Sequence, residues 1–195
     1  MIRDIALLGT RLAIGQGMAS HGAQKALGWF EGPGPDAAGK MMDGLGFKPG
    51  AGYAQIAAWN EIVSGQLMSL GLGGPIGPAL LISNMIVAQV TVHAKNGFFA
   101  QKGGIELGLI YSAAALAFAA SDYGDLSLDH VLGLEEPLHH PVVTALALAA
   151  AIAGAYFVLG TRSVTPPPGP ATPTYQGKNS PLANGSSTPK ENAPN

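Results

Sequence analysis

The chain has 195 residues, of which 47% are hydrophobic and only 11% are charged, and its formal net charge is −2. Ordinary soluble domains carry more than twice this charged fraction, so the composition favours a membrane protein. The chain has no basic surface for a nucleic acid, and we expect no nucleic-acid partner. It also has no cysteine, which excludes disulfides, thiol chemistry and cysteine-ligated iron–sulfur clusters. Any redox role therefore requires a bound cofactor, a quinone or a partner protein.

Five apolar stretches approach the roughly 20 residues that a helix needs to cross the hydrocarbon core. We predict an all-α membrane protein with spans over about 4–27, 53–72, 73–93, 104–121 and 142–160. The first stretch is interrupted by Arg11 and has no clear cleavage site, so we expect a retained helix and not a signal peptide. The loop over 28–52 contains a short amphipathic segment at 36–45, which is expected to lie on the membrane surface.

The first span combines small residues with one buried charge. Gly9, Ala13, Gly17 and His21 recur at every fourth position, which predicts a row of small side chains for close helix packing. Arg11 has two interpretations. It either extends along the helix to reach the membrane surface or pairs with a carboxylate inside the membrane, and we favour the ion pair.

Two carboxylates lie within apolar sequence. Glu61 is roughly 12 Å below the start of the second span, at 1.5 Å of rise per residue. Glu106 is one turn into the fourth span, where Lys25 or His93 would neutralise it. Ionisable groups at such depth are costly and are usually functional. A proton-carrying or ligand-binding role is therefore predicted for Glu61, with a structural ion pair as the alternative.

Antiparallel spans bring these polar residues to one end of the bundle. We call the start of the first span side A and its end side B. The order of the spans then predicts a polar cavity between the first four spans, open towards side B; unrelated interfacial residues are the alternative. The candidate ligand-binding or proton-relay residues are Arg11, His21, Lys25, Glu61, His93 and Glu106. No catalytic residue and no metal ligand is predicted.

Lysine and arginine residues flank side B much more often than side A. The positive-inside rule therefore predicts that side B and the C-terminal tail face the cytoplasm. The side B residues counted here are Lys25, Lys40, Lys48, Lys95, Lys102 and Arg162.

Two alternatives for these sites involve metals. His21 and His93 both fall near side B, where they would be able to ligate a haem. The acidic loop before the fifth span contains Glu135, Glu136, His139 and His140, which would be able to hold a divalent metal. A solvated loop explains the second group equally well.

The C-terminal segment has a different composition from the spans. From residue 163 onwards it contains eight prolines and few large apolar residues, which predicts a disordered tail. We therefore divide the chain into a four-helix membrane domain over 1–132, a segment over 133–161 that contains the fifth span, and a disordered tail over 162–195.

The pattern resembles the DoxX family of small bacterial and archaeal membrane proteins. The resemblance covers roughly residues 3–132. It depends on Arg11, His21-Gly-Ala-Gln-Lys25, Glu61 with Gly65, Val92-His93, Gly97-Phe98-Phe99, Gly103-Gly-Ile-Glu106 and Ser127-Leu-Asp129. The resemblance implies a four-helix transmembrane bundle, and some members act beside redox machinery, including the membrane subunit of a thiosulfate:quinone oxidoreductase. The fifth span and the tail are additions to this pattern.

These observations lead to two functional hypotheses. The first is an accessory or scaffold subunit of a membrane-bound respiratory or redox complex, with no intrinsic cofactor. The alternative is a quinone-binding membrane subunit of an oxidoreductase, with an intramembrane His/Glu/Lys site. We expect a multi-pass protein of the bacterial inner membrane whose partners are the lipid bilayer, other complex subunits or a redox protein, and a second copy of the chain.

Overall fold

The computed structural model describes residues 1–163, which form helices joined by turns and contain no β-strand. The long helices are α1 (Ile2–Leu27), α3 (Gly50–Leu70), α4 (Ile76–Ala88), α5 (Glu106–Ala120) and α8 (Pro141–Gly160). The shorter ones are α2 (Gly34–Gly44), α6 (Leu128–Val131) and α7 (Glu135–Leu138). All the predicted helices are present, with ends shifted by a few residues. The predicted disorder of the tail concerns residues that lie almost entirely outside the described part of the chain.

Helices α1 and α3 are packed backbone against backbone. A Cβ atom at Gly15 would meet the carbonyl oxygen of Gly65, and a Cβ atom at Gly22 would meet the carbonyl oxygen of Ala58. Small residues permit this close approach between helices in a membrane, where van der Waals contact takes the place of a hydrophobic driving force. The tight α1–α3 pair fixes the positions of the side chains that α1 and α3 present to the rest of the bundle.

The predicted row of small residues on α1 does not form this contact. Gly9 has open space beside it, and Gly17 faces the hydroxyl group of Tyr111 on α5. Gly15 and Gly22, which contact α3, are about two helical turns apart and therefore share one face of α1. This face lies about half a turn away from the predicted row of small residues. The predicted row instead faces outwards and towards α5.

Helix α4 changes its winding before it ends. After Ala88 the chain forms a π-helical turn over Gln89–His93 and a 3₁₀ turn over Ala94–Asn96. The Gln89 amide donates a hydrogen bond of 3.0 Å to the carbonyl oxygen of Ile105, at the start of α5. The wide turn therefore connects α4 to the entrance of α5, close to the candidate site.

Two helical segments are long and apolar enough to cross a membrane by themselves, namely Ile76–Asn96 and Pro141–Gly160. Helix α5 is apolar but shorter. Helices α1 and α3 have sufficient length but contain buried polar groups. The exact count of four spans plus one therefore stays a prediction.

The apolar core lies between α1, α3, α4 and α5. Buried side chains from these helices and from the loop after α5 form one cluster, made of Met18, Met68, Leu81, Met85, Ala115, Phe118 and Tyr123. Because Met18 and Met85 also line the cavity described below, the core forms the inner wall of the candidate site.

At side A, buried polar groups tie the loop after α5 to the turn before α4. The carboxylate of Asp129, which is 0% exposed, accepts the backbone N–H groups of Gly73 at 2.8 Å and Gly74 at 2.7 Å. Tyr123 donates a hydrogen bond of 2.7 Å to the carbonyl oxygen of Gly74, and His139 Nε2 lies 3.4 Å from Asp129. We call these five residues the side A clasp.

The clasp requires glycine at the turn. Gly73 and Gly74 have φ angles of 82° and 54°, a region that other residues rarely adopt.

Burial raises the pKa of Tyr123 far above its usual value, so its phenol stays protonated and remains a hydrogen-bond donor at ordinary pH.

Candidate functional site

The centre of the candidate site is an ion pair between α1 and α3. Lys25 Nζ contacts both carboxylate oxygens of Glu61, and Asn84 Nδ2 on α4 donates a hydrogen bond of 2.8 Å to Glu61 Oε1. Glu61 is 3% exposed, so its charge depends on these partners. The three side chains join three helices at one point within the bundle.

A cavity of about 190 Å³ lies beside this pair. Its polar end is formed by Lys25, Glu61, His21, His93 and Tyr111, and its apolar wall includes Met18, Met85 and Leu107. Ala100 and Gly103, from the connection between α4 and α5, also line it. The cavity therefore extends from the buried ion pair to the side B connection, and it includes four of the six residues predicted from the sequence.

His21 and Tyr111 form one side of the cavity. The two rings meet edge to face with their centroids 6.4 Å apart, a favourable arrangement for aromatic side chains. The Tyr111 hydroxyl lies against Gly17, where a Cβ atom would collide with it. Glycine at this position thus allows a tyrosine hydroxyl to enter the seam between α1 and α5.

His93 enters the cavity from the π-helical turn. Its Nδ1 lies 2.7 Å from the carbonyl oxygen of Gly103; the carbonyl only accepts, so Nδ1 is the donor. This hydrogen bond fixes the ring and leaves Nε2 as the unprotonated nitrogen of the neutral imidazole. Asn96 donates to the same carbonyl at 3.1 Å, which further orders the loop at the mouth of the cavity.

Glu106 does not belong to the cavity, contrary to the prediction. Its Oε2 accepts the backbone N–H of Ala100 at 2.8 Å, and it is absent from the cavity lining. The predicted neutralisation by Lys25 or His93 is wrong, because Lys25 pairs with Glu61 and His93 bonds to Gly103. Glu106 instead holds the α4–α5 connection against the start of α5, where a negative charge also suits the helix dipole.

Arg11 is also remote from the cavity. Its side chain is 1% exposed and donates to the carbonyl oxygen of Leu126 in the side A loop. The predicted pairing with a carboxylate is wrong, because the salt bridges found within residues 1–163 do not include Arg11. Its Nε and Nη1 groups have no hydrogen-bond partner there. At 1% exposure the side chain does not reach the surface either, as the alternative interpretation required; it ends in the side A loop.

Three functional or structural residues were not identified from the sequence. Asn84, Tyr111 and Asp129 were not assigned to a site. A signal for Tyr111 does exist, since it is four residues after Leu107 on α5 and therefore shares the cavity face. The partner of Asn84 is on another helix, and neither periodicity nor spacing can supply that information.

The acidic loop is organised by hydrogen bonds. Within residues 1–163, no group of three or more histidine, cysteine, aspartate or glutamate side chains is arranged to hold a metal ion. The alternative of a metal at Glu135, Glu136, His139 and His140 therefore has no such group to support it. His130 Nδ1 lies 3.0 Å from Glu135 Oε2, and this hydrogen bond raises the pKa of His130.

The cavity presents hydrogen-bond donors opposite an apolar wall. The ammonium of Lys25 and the hydroxyl of Tyr111 donate, whereas His21 and His93 donate or accept according to their protonation. Ligand sites in proteins commonly combine a mostly apolar surface with a few polar groups that fix orientation. This arrangement suits a small ring with oxygen substituents, held at its oxygens by the donors and along its faces by methionine and leucine.

Taken together, residues 1–163 form an all-helical bundle with two helices long and apolar enough to cross a membrane and with a small, partly polar cavity. The DoxX family model matches residues 6–94, from the first turns of α1 to the π-helical turn of α4, and this match supports membership of the DoxX family. The matched segment includes Lys25, Glu61, Asn84 and His93. No curated protein and no solved structure matches the chain.

Proposed function

We propose that this DoxX-family protein is the membrane subunit of a redox complex and that its cavity binds the ring of a quinone. The observation that supports this proposal most strongly is the Lys25–Glu61 pair at the end of a cavity of about 190 Å³. A purely structural pair needs no space beside it. Here the pair, two histidines and a tyrosine face one cavity.

The residues present fit a quinone ring. Its two carbonyl oxygens accept hydrogen bonds, and Lys25, Tyr111 and His21 supply donors within the cavity. Met18, Met85 and Leu107 offer the apolar faces that a ring requires. A bound quinone would supply two-electron acceptor chemistry, which the cysteine-free chain cannot perform with its own side chains.

In this proposal each residue has its own task. Lys25 holds positive charge near the ligand oxygen, and Glu61 keeps Lys25 in place together with Asn84. His93 presents Nε2 towards the cavity while Gly103 fixes its Nδ1. Histidine and carboxylate groups are the usual proton carriers inside membranes, so His93 and Glu61 are assigned the movement of protons. Electrons come from a partner protein.

The proposal is tested by measuring quinone retained by the purified protein. The protein is isolated from native membrane in mild detergent, and its lipid extract is quantified by mass spectrometry for the wild type, Glu61→Gln and Gln66→Ala. Gln66 is a matched control because it is on the same helix but faces Gln16, away from the cavity. We expect quinone to be present in the wild type and in Gln66→Ala and reduced about tenfold in Glu61→Gln, as for an unpaired buried charge.

Absence of quinone from the wild type, together with failure of added quinone to bind, would overturn the proposal. Equal retention by Glu61→Gln and the wild type would place the quinone elsewhere and would also contradict it.

A second candidate function is an accessory or scaffold subunit without a ligand. One observation favours it: Lys25 and Asn84 already occupy both carboxylate oxygens of Glu61, as in a structural ion pair. Under this hypothesis, α8 and the outer faces of the bundle hold partner subunits.

Native gel electrophoresis of the membrane complex distinguishes the two functions. The scaffold hypothesis predicts that Glu61→Gln releases partner subunits and that His93→Ala leaves assembly and activity intact. The quinone hypothesis predicts an assembled complex in both variants with reduced quinone-dependent turnover.

A further inference from the structure

A second cavity lies between α1 and α5, which are two of the helices that line the candidate site. It has a volume of about 310 Å³ and is lined by Ala6, Leu7 and Thr10 of α1 and by Ala114, Ala117 and Phe118 of α5. The lining is almost entirely apolar and consists mainly of small side chains. This α1–α5 groove begins near mid-helix and continues towards side A.

On α5, the first cavity and the groove share one face. Leu107 and Tyr111 line the cavity, and Ala114 and Phe118 line the groove. These positions are separated by four, three and four residues, the spacing of one continuous stripe along an α-helix. The last cavity residue, Tyr111, and the first groove residue, Ala114, are less than one turn apart.

On α1, the same continuity is present. Leu7 and Thr10 line the groove, Met18 and His21 line the cavity, and Ile14 between them packs against the core cluster. The steps are three, four, four and three residues, again one helical face. Because α1 and α5 run in opposite directions, both helices lead from the ion pair at side B to the groove at side A.

The linings of the two cavities do not overlap, and Tyr111 lies between them along α5. The Tyr111 hydroxyl lies against Gly17 and separates the polar end from the apolar groove. At the far end the groove closes near a polar contact, where Arg3 Nη2 donates to Asp122 Oδ1 at 2.5 Å. The polar groups are thus at the two ends of the seam, with apolar surface between them.

From this continuity we propose that the α1–α5 groove binds the apolar chain of the same ligand whose ring occupies the cavity. This inference rests on the proposed function, because it assigns the tail of a ligand whose head lies beside Lys25 and Glu61. The ligand class is a single-chain prenyl lipid with a ring head. The chain leaves the cavity past Tyr111 and follows α1 and α5 towards side A.

The small side chains that line the groove suit a slender hydrocarbon chain. The alanines at 6, 114 and 117 remove side-chain volume along the whole groove, as a continuous hydrocarbon chain requires.

The experiment compares two probes and three proteins. The probes are 2-methyl-1,4-naphthoquinone and the same ring with a chain of four isoprene units. The proteins are the wild type, Ala117→Leu and Ala113→Leu, each in lipid nanodiscs. Ala113→Leu is the control because Ala113 is exposed and is absent from both linings. Binding is measured by competition with a photoreactive naphthoquinone.

We expect the prenylated probe to bind the wild type more tightly than the bare ring. Ala117→Leu fills the groove and should weaken the prenylated probe on the order of tenfold, leaving the bare ring unchanged, because only van der Waals contact with the chain is lost. Ala113→Leu should leave both affinities unchanged.

The outcomes separate the two proposals. If the bare ring binds and the chain adds no affinity, the groove proposal is wrong and the proposed function survives. If neither probe binds, the proposed function fails as well. A groove for a second copy of this chain would appear as loss of self-association in Ala117→Leu with unchanged probe binding. Equal weakening by Ala113→Leu and Ala117→Leu would indicate an annular lipid and would contradict the proposal.

Discussion

The two ends of the bundle bury charge in different ways. At the side A clasp, Asp129 is 0% exposed and is enclosed by backbone N–H groups and by His139. At side B, Glu61 is equally buried but lies at the edge of a cavity with two histidines and a tyrosine. One buried carboxylate is thus held by backbone donors, whereas the other borders a cavity, where we propose that a ligand binds.

The largest expected effect is on the clasp. Asp129→Ala leaves the N–H groups of Gly73 and Gly74 without an acceptor, and we expect a loss of about 3 kcal/mol or more in the free energy of unfolding. Equilibrium unfolding in mixed micelles measures it. Asp125→Ala, in the same loop but exposed, should change stability by less than about 0.5 kcal/mol. Similar values for the two variants would mean that the clasp does not stabilise the fold.

The next largest effect concerns the ion pair. Glu61→Gln and Lys25→Met should each destabilise the protein by about 2 kcal/mol, because each leaves a buried polar partner behind. The double variant should cost less than the sum, since both charges are then removed. Equilibrium unfolding of the wild type, the two single variants and the double variant gives the coupling energy between Glu61 and Lys25. Additive losses would show that the two side chains do not interact in the folded protein.

A smaller effect is expected at Arg11. Its side chain is as buried as that of Asp129, but fewer of its polar atoms have hydrogen-bond partners. Arg11→Met removes a guanidinium whose Nε and Nη1 have no partner among the described residues. Replacement of poorly compensated buried charge by an apolar side chain is often neutral or stabilising. We therefore expect a change within about 1 kcal/mol in the same unfolding assay. A loss as large as that of Asp129→Ala would show that Arg11 belongs to the clasp.

The smallest effect is a pH dependence at the surface of side A. Glu135 raises the pKa of His130 above its usual value of 6.5. The His130–Glu135 pair therefore contributes fully to the stability of the fold below pH 6.5. This contribution is lost as the pH rises through the raised pKa of His130 in the folded protein. Melting temperatures of the wild type between pH 5.5 and 8.5 should fall slightly more than those of His130→Gln. Parallel curves would show that the pair contributes nothing.

The sequence was sufficient for the helices and for most of the cavity. Apolar length identified the helical stretches, and their alternating direction placed His21, Lys25, Glu61 and His93 at one end. The match to the DoxX family model confirms the family prediction. The domain division, the orientation and the quinone stay predictions.

The sequence was not sufficient for the partners of the charges. The hydrogen bond from the backbone N–H of Ala100 to Glu106 and the one from Arg11 to the carbonyl of Leu126 both depend on loop conformation. Helical periodicity contains no information about such backbone groups. The same limit applies to Asp129, whose acceptor role appears only when the α3–α4 turn is placed beside it.

The π-helical turn over Gln89–His93 also has a mechanical consequence. A π turn holds one residue more than an α-helical turn, and such insertions occur often at functional positions. If the segment rewound as a regular α-helix, every residue beyond it would rotate by about 100° around the axis. His93, at the end of the segment, would then change its position relative to the Lys25–Glu61 pair. One local change of winding is thus enough to assemble or dismantle one wall of the cavity.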